Sequence, residues 1–178
     1  SSGDSFYSDQ AIDLQGVVTD DEDSADSLTV RWESDLDGDL ASDAAPDSTG
    51  LVLSSVHLTE GEHFITLTAT DSSAKSGSAS VTVNVGPANS PPVCALVIPA
   101  DGTSGPEGDL VVFAGEVGDE DLPVDALTVV WSSDKDGELG SSTPTSAGAV
   151  SFPYSDLSVN THVISMTVTD DVGVSCTD

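Results

Sequence analysis

Apolar residues recur at every second position in several short stretches of the chain: Ile12, Leu14, Gly16 and Val18, then Leu28, Val30 and Trp32, then Ile65, Leu67 and Ala69, then Val81, Val83 and Val85. A period of two puts one set of side chains on one face of an extended segment, so each stretch predicts a strand with one buried face. The pattern then returns in Val111, Phe113, Gly115 and Val117, in Leu127, Val129 and Trp131, and in Ile164, Met166 and Val168. No stretch carries the 3.6-residue period of a helix.

The return is a tandem repeat. WESDLDGDLA at 32–41 matches WSSDKDGELG at 131–140, and the offset 131 − 32 = 99 also pairs Gly16 with Gly115, Leu28 with Leu127, His63 with His162 and Asp71 with Asp170. The 178 residues therefore hold two domains of about 100 residues, each able to bury a core of its own. In the first, strands are expected near 10–18 (B), 28–34 (C), after the Asp-Gly turn (C′), near 50–54 (E), 63–70 (F) and 79–86 (G), and strand A of the second lies in PPVCALVIP at 91–99. Short strands separated by Gly, Asp, Ser and Pro, with a tryptophan on the third, predict an all-β chain of two tandem immunoglobulin-like β-sandwich domains. The expected extents are 1–87, lacking strand A, a linker at 88–91, and 92–178, lacking strand G. Two full periods would exceed the chain by a stretch like Ser80–Pro99, so the sequence is expected to be an excerpt of a longer repetitive polypeptide. Trp32 and Trp131 are expected in the cores. His63 and His162 are expected to be structural, since neither has a second His or Cys at ligand spacing.

Charge changes the picture. Thirty-two acidic residues face three basic ones, for a formal net charge of −29. Nucleic acid and anionic membrane surfaces would be repelled, so the expected partners are cations, cationic surfaces or neighbouring copies of the repeat. No apolar run approaches the roughly 18 residues of a membrane-spanning helix. So large a charge opposes folding through self-repulsion, which bound counterions or a saline solvent would relieve.

The acids are concentrated in loops. The B–C loops carry Asp20, Asp21, Glu22, Asp23 and Asp26 in one repeat and Asp119, Glu120, Asp121 and Asp125 in the other. The C–C′ turns carry Asp35, Asp37 and Asp39, then Asp134, Asp136 and Glu138, and the F strands end at Asp71 and at Asp170–Asp171. Calcium takes about six to eight oxygen ligands and tolerates flexible, glycine-containing loops, so it is the cofactor this distribution suggests. Zinc lacks its His and Cys clusters. Asp-Gly is also what an ordinary hairpin turn demands, so the C–C′ motif has a plain reading beside the metal one. In a sandwich the B–C and F–G loops emerge where strand A enters and the C–C′ turn emerges at the opposite pole. Head-to-tail stacking would then bring Asp35 and Asp37, linker residue Asn89, and Asp119, Glu120, Asp121 and Asp170 to one calcium-clamped junction.

W-x-S-D-x-D-G-x-L after an acidic loop, H-x-I-x-x-T-x-T-D, and an N-S-P-P linker resemble the PKD-like and other Ig-like, cadherin-like tandem repeats of secreted bacterial and archaeal surface proteins. The resemblance implies an extracellular, secreted or cell-surface structural repeat of an adhesin, stalk or fibre, rigidified by calcium. The competing reading is an accessory carbohydrate- or surface-binding module of a secreted enzyme, for which Tyr7, Phe152 and Tyr154 are the available aromatics. The serines show no recognisable triad spacing with His and Asp, so an enzyme is not expected. Strand A runs beside strand G in these sandwiches, which predicts a disulfide between Cys94 and Cys176 and an oxidising compartment.

Overall fold

The computed structural model describes residues 4–41 and 44–178. The chain divides into two compact units, 1–89 and 90–178. In unit 1 the strands are β1 (Asp4–Tyr7), β2 (Ile12–Val17), β3 (Thr29–Ser34), β4 (Gly38–Ala41), β5 (Leu51–Val56), β6 (Gly61–Thr70) and β7 (Ser76–Gly86). In unit 2 they are β8 (Val93–Ile98), β9 (Val111–Gly118), β10 (Thr128–Ser133), β11 (Gly137–Ser142), β12 (Ala149–Tyr154), β13 (Ile164–Thr169) and β14 (Ser175–Thr177). Each unit is a two-layer sandwich. One sheet has the order β1-β7-β6-β3-β4 in unit 1 and β11-β10-β13-β14 in unit 2. The facing sheet is β2-β5 in unit 1 and β12-β9-β8 in unit 2. The immunoglobulin-like arrangement read from the alternation is the observed one.

Alternation became burial. Ile12, Leu14, Val30, Trp32, Ile65, Leu67, Val83 and Val85 form one core, and Phe113, Val117, Val129, Trp131, Met166 and Val168 form the other. Both tryptophans are buried, Trp131 completely. In unit 2, Phe113, Trp131, Phe152 and Tyr154 stack with successive centroid separations of 6.0, 6.0 and 5.8 Å. Phe152 and Tyr154 are thus half-buried parts of a core stack in unit 2, and Tyr7 is half-buried on β1 of unit 1.

Two edge strands depart from the expected inventory. β1 lies parallel to β7, with Asp4 opposite Val83 and Tyr7 opposite Gly86, so unit 1 does have a strand ahead of β2, on the β7 edge. β14 pairs antiparallel with β13 through Thr167–Thr177 and Thr169–Ser175, so unit 2 has a short strand where G was expected to be missing. Four and three residues carry too little alternation to be read from sequence. What unit 1 lacks, among the described residues, is a strand on the free edge of β2, where unit 2 places β8 antiparallel to β9.

The 99-residue offset also breaks locally. Gly16 faces Val52 across β2 and β5, while Gly115 faces Val150 across β9 and β12, which makes 150 − 52 = 98 the offset along that strand. One residue is lost before β12 and regained before β13, both in loops, where length is cheap.

Candidate functional site

At the pole where strand C ends, the two units carry one wiring diagram. In unit 1, Ser34 and His63 are buried, with Ser34 Oγ 2.8 Å from His63 Nδ1 and His63 Nε2 2.6 Å from the Thr59 carbonyl oxygen. A carbonyl only accepts, so Nε2 of the neutral ring carries the proton and Nδ1 accepts from the Ser34 hydroxyl. The Ser34 oxygen in turn accepts the amides of Leu36 and Asp37 at 3.2 and 3.3 Å. Asp37 closes the circuit by accepting the Thr59 amide at 2.9 Å and the Thr59 hydroxyl at 2.6 Å. Asp35 accepts the Phe64 amide at 2.7 Å.

Unit 2 repeats each bond. Ser133 Oγ lies 2.8 Å from His162 Nδ1, and His162 Nε2 lies 2.7 Å from the Ser158 carbonyl oxygen. Asp136 accepts the Ser158 amide and hydroxyl at 2.9 and 2.7 Å, and Asp134 accepts the Val163 amide at 2.7 Å. Ser, His and Asp thus meet twice in this chain, but as a fastening. Each serine is buried with its oxygen taken by backbone amides, a poor position for attack on a substrate.

The opposite pole uses the same chemistry. Asp20 accepts the amides of Glu22 and Asp23 at 2.9 and 2.8 Å, and Asp119 those of Asp121 and Leu122 at 2.8 and 3.0 Å. Asp71 accepts from Ser73 and Lys75, both at 2.8 Å, and Asp170 from Val172 and Val174 at 3.0 and 2.8 Å. Asp23 reaches across to the Ser72 amide at 2.9 Å and so ties the B–C loop to the F–G turn. Asp121 receives the Ser90 amide, and the Asn89 amide donates to Asp9 at 3.0 Å. Those at Asp20, Asp71, Asp119 and Asp170 are short-range carboxylate-to-amide clips that replace the hydrogen bonds a loop cannot make with a neighbouring strand, while those to Ser72, Asn89 and Ser90 tie together segments distant in the chain.

Asp21, Asp26, Glu120 and Asp125 project into solvent. Glu22 approaches Lys75 at 3.8 Å, and Asp39 pairs with Arg31 at 3.1 Å, both as surface ion pairs. Among the described residues no three His, Cys, Asp or Glu side chains are gathered so as to hold a metal ion. Oδ2 of Asp119 is buried with no hydrogen-bond partner, as is the Trp32 indole nitrogen, while Oδ1 of Asp119 holds the loop amides.

Hydrogen bonding holds several of these carboxyls below the usual carboxylate range. Asp20 is lowered by the Asp23 and Glu22 amides, and Asp136 by the Ser158 amide and hydroxyl. Asp134 is lowered by the Lys135 ammonium and the Val163 amide. At Asp37 burial pushes upward, yet the hydroxyl and amide of Thr59 prevail and the carboxyl is lowered. Asp47, which sequence reading passed over, is lowered by the Thr49 hydroxyl and the Leu51 amide. Asp9, Asp47, Thr59 and Ser158 sit in turns that alternation does not mark. Only the recurrence of Asp followed two to four residues later by Ser, Thr or Gly could have pointed to Asp47.

Cys94 on β8 and Cys176 on β14 form a disulfide, with a Cα separation of 6.1 Å. It joins the two sheets of unit 2.

No family model matches the chain, and no curated protein matches it. Solved structures do. The fibronectin(III)-like modules of Clostridium thermocellum CbhA are similar over 99% of this chain and 86% of that one, at 17% identity and a TM-score of 0.65. Dpr2 Ig1-Ig2 in complex with DIP-Theta Ig1-Ig3 covers 97% of this chain and 90% of that one at 12% identity and TM-score 0.47. The titin domains z1z2 in complex with telethonin cover 97% and 86% at 16% identity and TM-score 0.37. At 17% identity the likeness to the fibronectin(III)-like modules is one of fold, and it agrees with the sandwich described above.

Proposed function

We propose that this chain is a non-catalytic extracellular repeat module that serves as a structural segment of an adhesin, stalk or fibre, with neighbouring copies of the repeat as its partners. The observation that carries the reading is the duplicated wiring. Both units spend a Ser–His pair, buried in unit 1 and partly buried in unit 2, and their loop carboxylates on fastening loops at corresponding positions. A disulfide between sheets suits an oxidising exterior. The acidic coat, with three basic residues in the whole chain, suits a partner that is not an anionic polymer.

Calcium enters the proposal at Asp119. A carboxylate oxygen withdrawn from water without a donor is the kind of atom that a hard cation satisfies. The accessory-module reading is weakened by Phe152 and Tyr154, whose rings pack in the unit 2 stack instead of forming an open platform.

Two measurements on the whole chain test this. Unfolding is followed with calcium, magnesium or EDTA at fixed ionic strength: calcium should raise the unit 2 transition, and Asp119→Asn should remove the rise. Equal effects of both cations would reduce the acids to a hydrated coat. Affinity electrophoresis against soluble polysaccharides should show unretarded migration, and retardation would favour the accessory module.

A further inference from the structure

Asp-Gly occurs three times in the chain, at Asp37–Gly38, Asp101–Gly102 and Asp136–Gly137. The step is chemically weak, because glycine puts no side chain in the way when its amide nitrogen turns on the preceding carboxyl. Two of the three are guarded. Asp37 has both carboxylate oxygens occupied by the Thr59 amide and hydroxyl, and Asp136 has both occupied by those of Ser158. Gly38 and Gly137 open β4 and β11, in register with Ser34 and Ser133, so each glycine is also held at the end of a ladder.

Asp101–Gly102 has neither restraint. It lies in the loop between β8 and β9, where residues 100–110 are all exposed. The Thr103 amide and hydroxyl close a turn onto the Ala100 carbonyl at 3.1 and 2.7 Å, which leaves Asp101 and Gly102 at its tip, with Gly102 at φ 78°. Among the described residues the Asp101 carboxyl and the Gly102 amide make no hydrogen bond. A Cβ built on Gly102 meets no heavy atom within 4 Å, so the tip has room to rearrange.

We infer that Asp101–Gly102 is a site of spontaneous isoaspartate formation, singled out by the fold from three identical sequence steps. The Gly102 nitrogen attacks Cγ of the neutral Asp101 carboxyl. A nitrogen–carbon bond forms, and the carboxyl hydroxyl leaves with the amide proton as water, closing a cyclic imide. Water then reopens the ring. Addition at Cγ restores aspartate, whereas addition at the former backbone carbonyl carbon leaves the chain running through Cβ and Cγ, beside a free α-carboxylate. No oxidant or reductant is consumed. The carboxylate must be neutralised and its oxygens released before the ring can close, so hydrogen bonds to the ionised form protect Asp37 and Asp136. The added backbone atom stays in the exposed loop, since β8 is fixed by its ladder with β9 and by Cys94–Cys176. None of this depends on the structural-repeat reading.

The test ages the full folded chain at neutral pH in water enriched in heavy oxygen, followed by peptide mapping. Each ring opening leaves a solvent oxygen on the aspartyl residue, and electron-transfer fragmentation cuts isoaspartate between Cα and Cβ. Heavy-oxygen uptake and isoaspartate at residue 101 should exceed those at residues 37 and 136 by at least about tenfold, because giving up hydrogen bonds to a carboxylate raises the barrier at the guarded steps. Asp101→Glu should suppress the product, since its larger ring closes slowly. In denaturant with the disulfide reduced, the three steps should converge. Equal product at the three steps of the folded chain, product undiminished by Asp101→Glu, or an advantage of residue 101 that persists in denaturant overturns the inference.

Discussion

The two repeats share their loop fastenings and differ in how they close. Unit 2 seals its β9 edge with β8, staples that strand to β14 through Cys94–Cys176, and fills its core with a stack of aromatic rings. Unit 1 carries its strand β1 on the opposite sheet, beside β7. Across β2 and β5 its counterparts of Phe113 and Phe152 are Leu14 and Ser54. The loop carboxylates and the Ser–His pair are therefore what the repeat must keep to be a repeat. Core filling and cross-linking are where the two differ.

Removing the staple should give the largest difference. In the chain-entropy model a cross-link spanning 82 residues contributes roughly 4 kcal/mol. Cys94→Ser with Cys176→Ser, or reduction, should lower the unit 2 transition by an amount of that order and leave unit 1 unmoved. Calorimetry of the whole chain checks this, and a parallel fall in both transitions would mean that the units do not unfold separately.

Next comes the fastening the repeats share. Ser34→Ala strands His63 Nδ1 and the amides of Leu36 and Asp37, and Ser133→Ala does the same to their counterparts. Leaving such buried groups unpaired costs about 1–3 kcal/mol. Denaturant titration of each variant should show losses of similar size in the two units. A large loss in one and none in the other would break the claim of common wiring.

A subtler contrast lies in a glycine pair. A Cβ at Gly115 would come 2.6 Å from the Ala95 carbonyl oxygen of β8 and 2.9 Å from the Met166 thioether. At Gly16 it would meet the Leu67 side chain at 2.4 Å, with no backbone atom among its nearest neighbours. A side chain can turn aside, whereas a paired strand cannot, so Gly115→Ala should cost more than Gly16→Ala. Overpacking of this kind costs about 1–3 kcal/mol. Equal costs would show that β8 yields as easily as Leu67.

How much of this was legible follows from what each signal measures. Period-two alternation located β2, β3, β6, β7, β9, β10 and β13, because those strands bury one face over six or more residues. It missed β1 and β14, which are short edge strands. The pairing of Cys94 with Cys176 was readable because strand topology fixes which ends of A and G come together. The clustering of acids was readable too, but their employment was not. A carboxylate in an Asx turn and a carboxylate awaiting a cation are the same letter. Asp20, Asp71, Asp119 and Asp170 became distinguishable only once their oxygens were seen facing amides two to four residues on.

The smallest expected effect is on acid stability, and it too separates the repeats. In the turn before β5, Asp47 Oδ1 accepts the Thr49 and Leu51 amides, whereas the turn before β12 uses the Thr145 hydroxyl, which accepts the Ala149 amide at 3.1 Å. A carboxyl lowered in the folded state stabilises fully above its unfolded value of about 4, and that contribution fades as pH falls through the lower folded value. Asp20, Asp37 and Asp47 are lowered in unit 1, against Asp134 and Asp136 in unit 2. Protonation also relieves the repulsion of a chain with net charge −29, which works in the opposite direction. High salt screens that long-range repulsion and leaves hydrogen-bonded clips in place. In high salt, then, the stability that these clips supply should be lost below about pH 4, and in unit 1 this includes the Asp47 turn, which has no titratable counterpart before β12. Asp47→Thr gives unit 1 the hydroxyl turn of unit 2, and melting curves taken from pH 5 to 2 should show the gap narrowing. A gap that survives this substitution would place the acid sensitivity of unit 1 elsewhere.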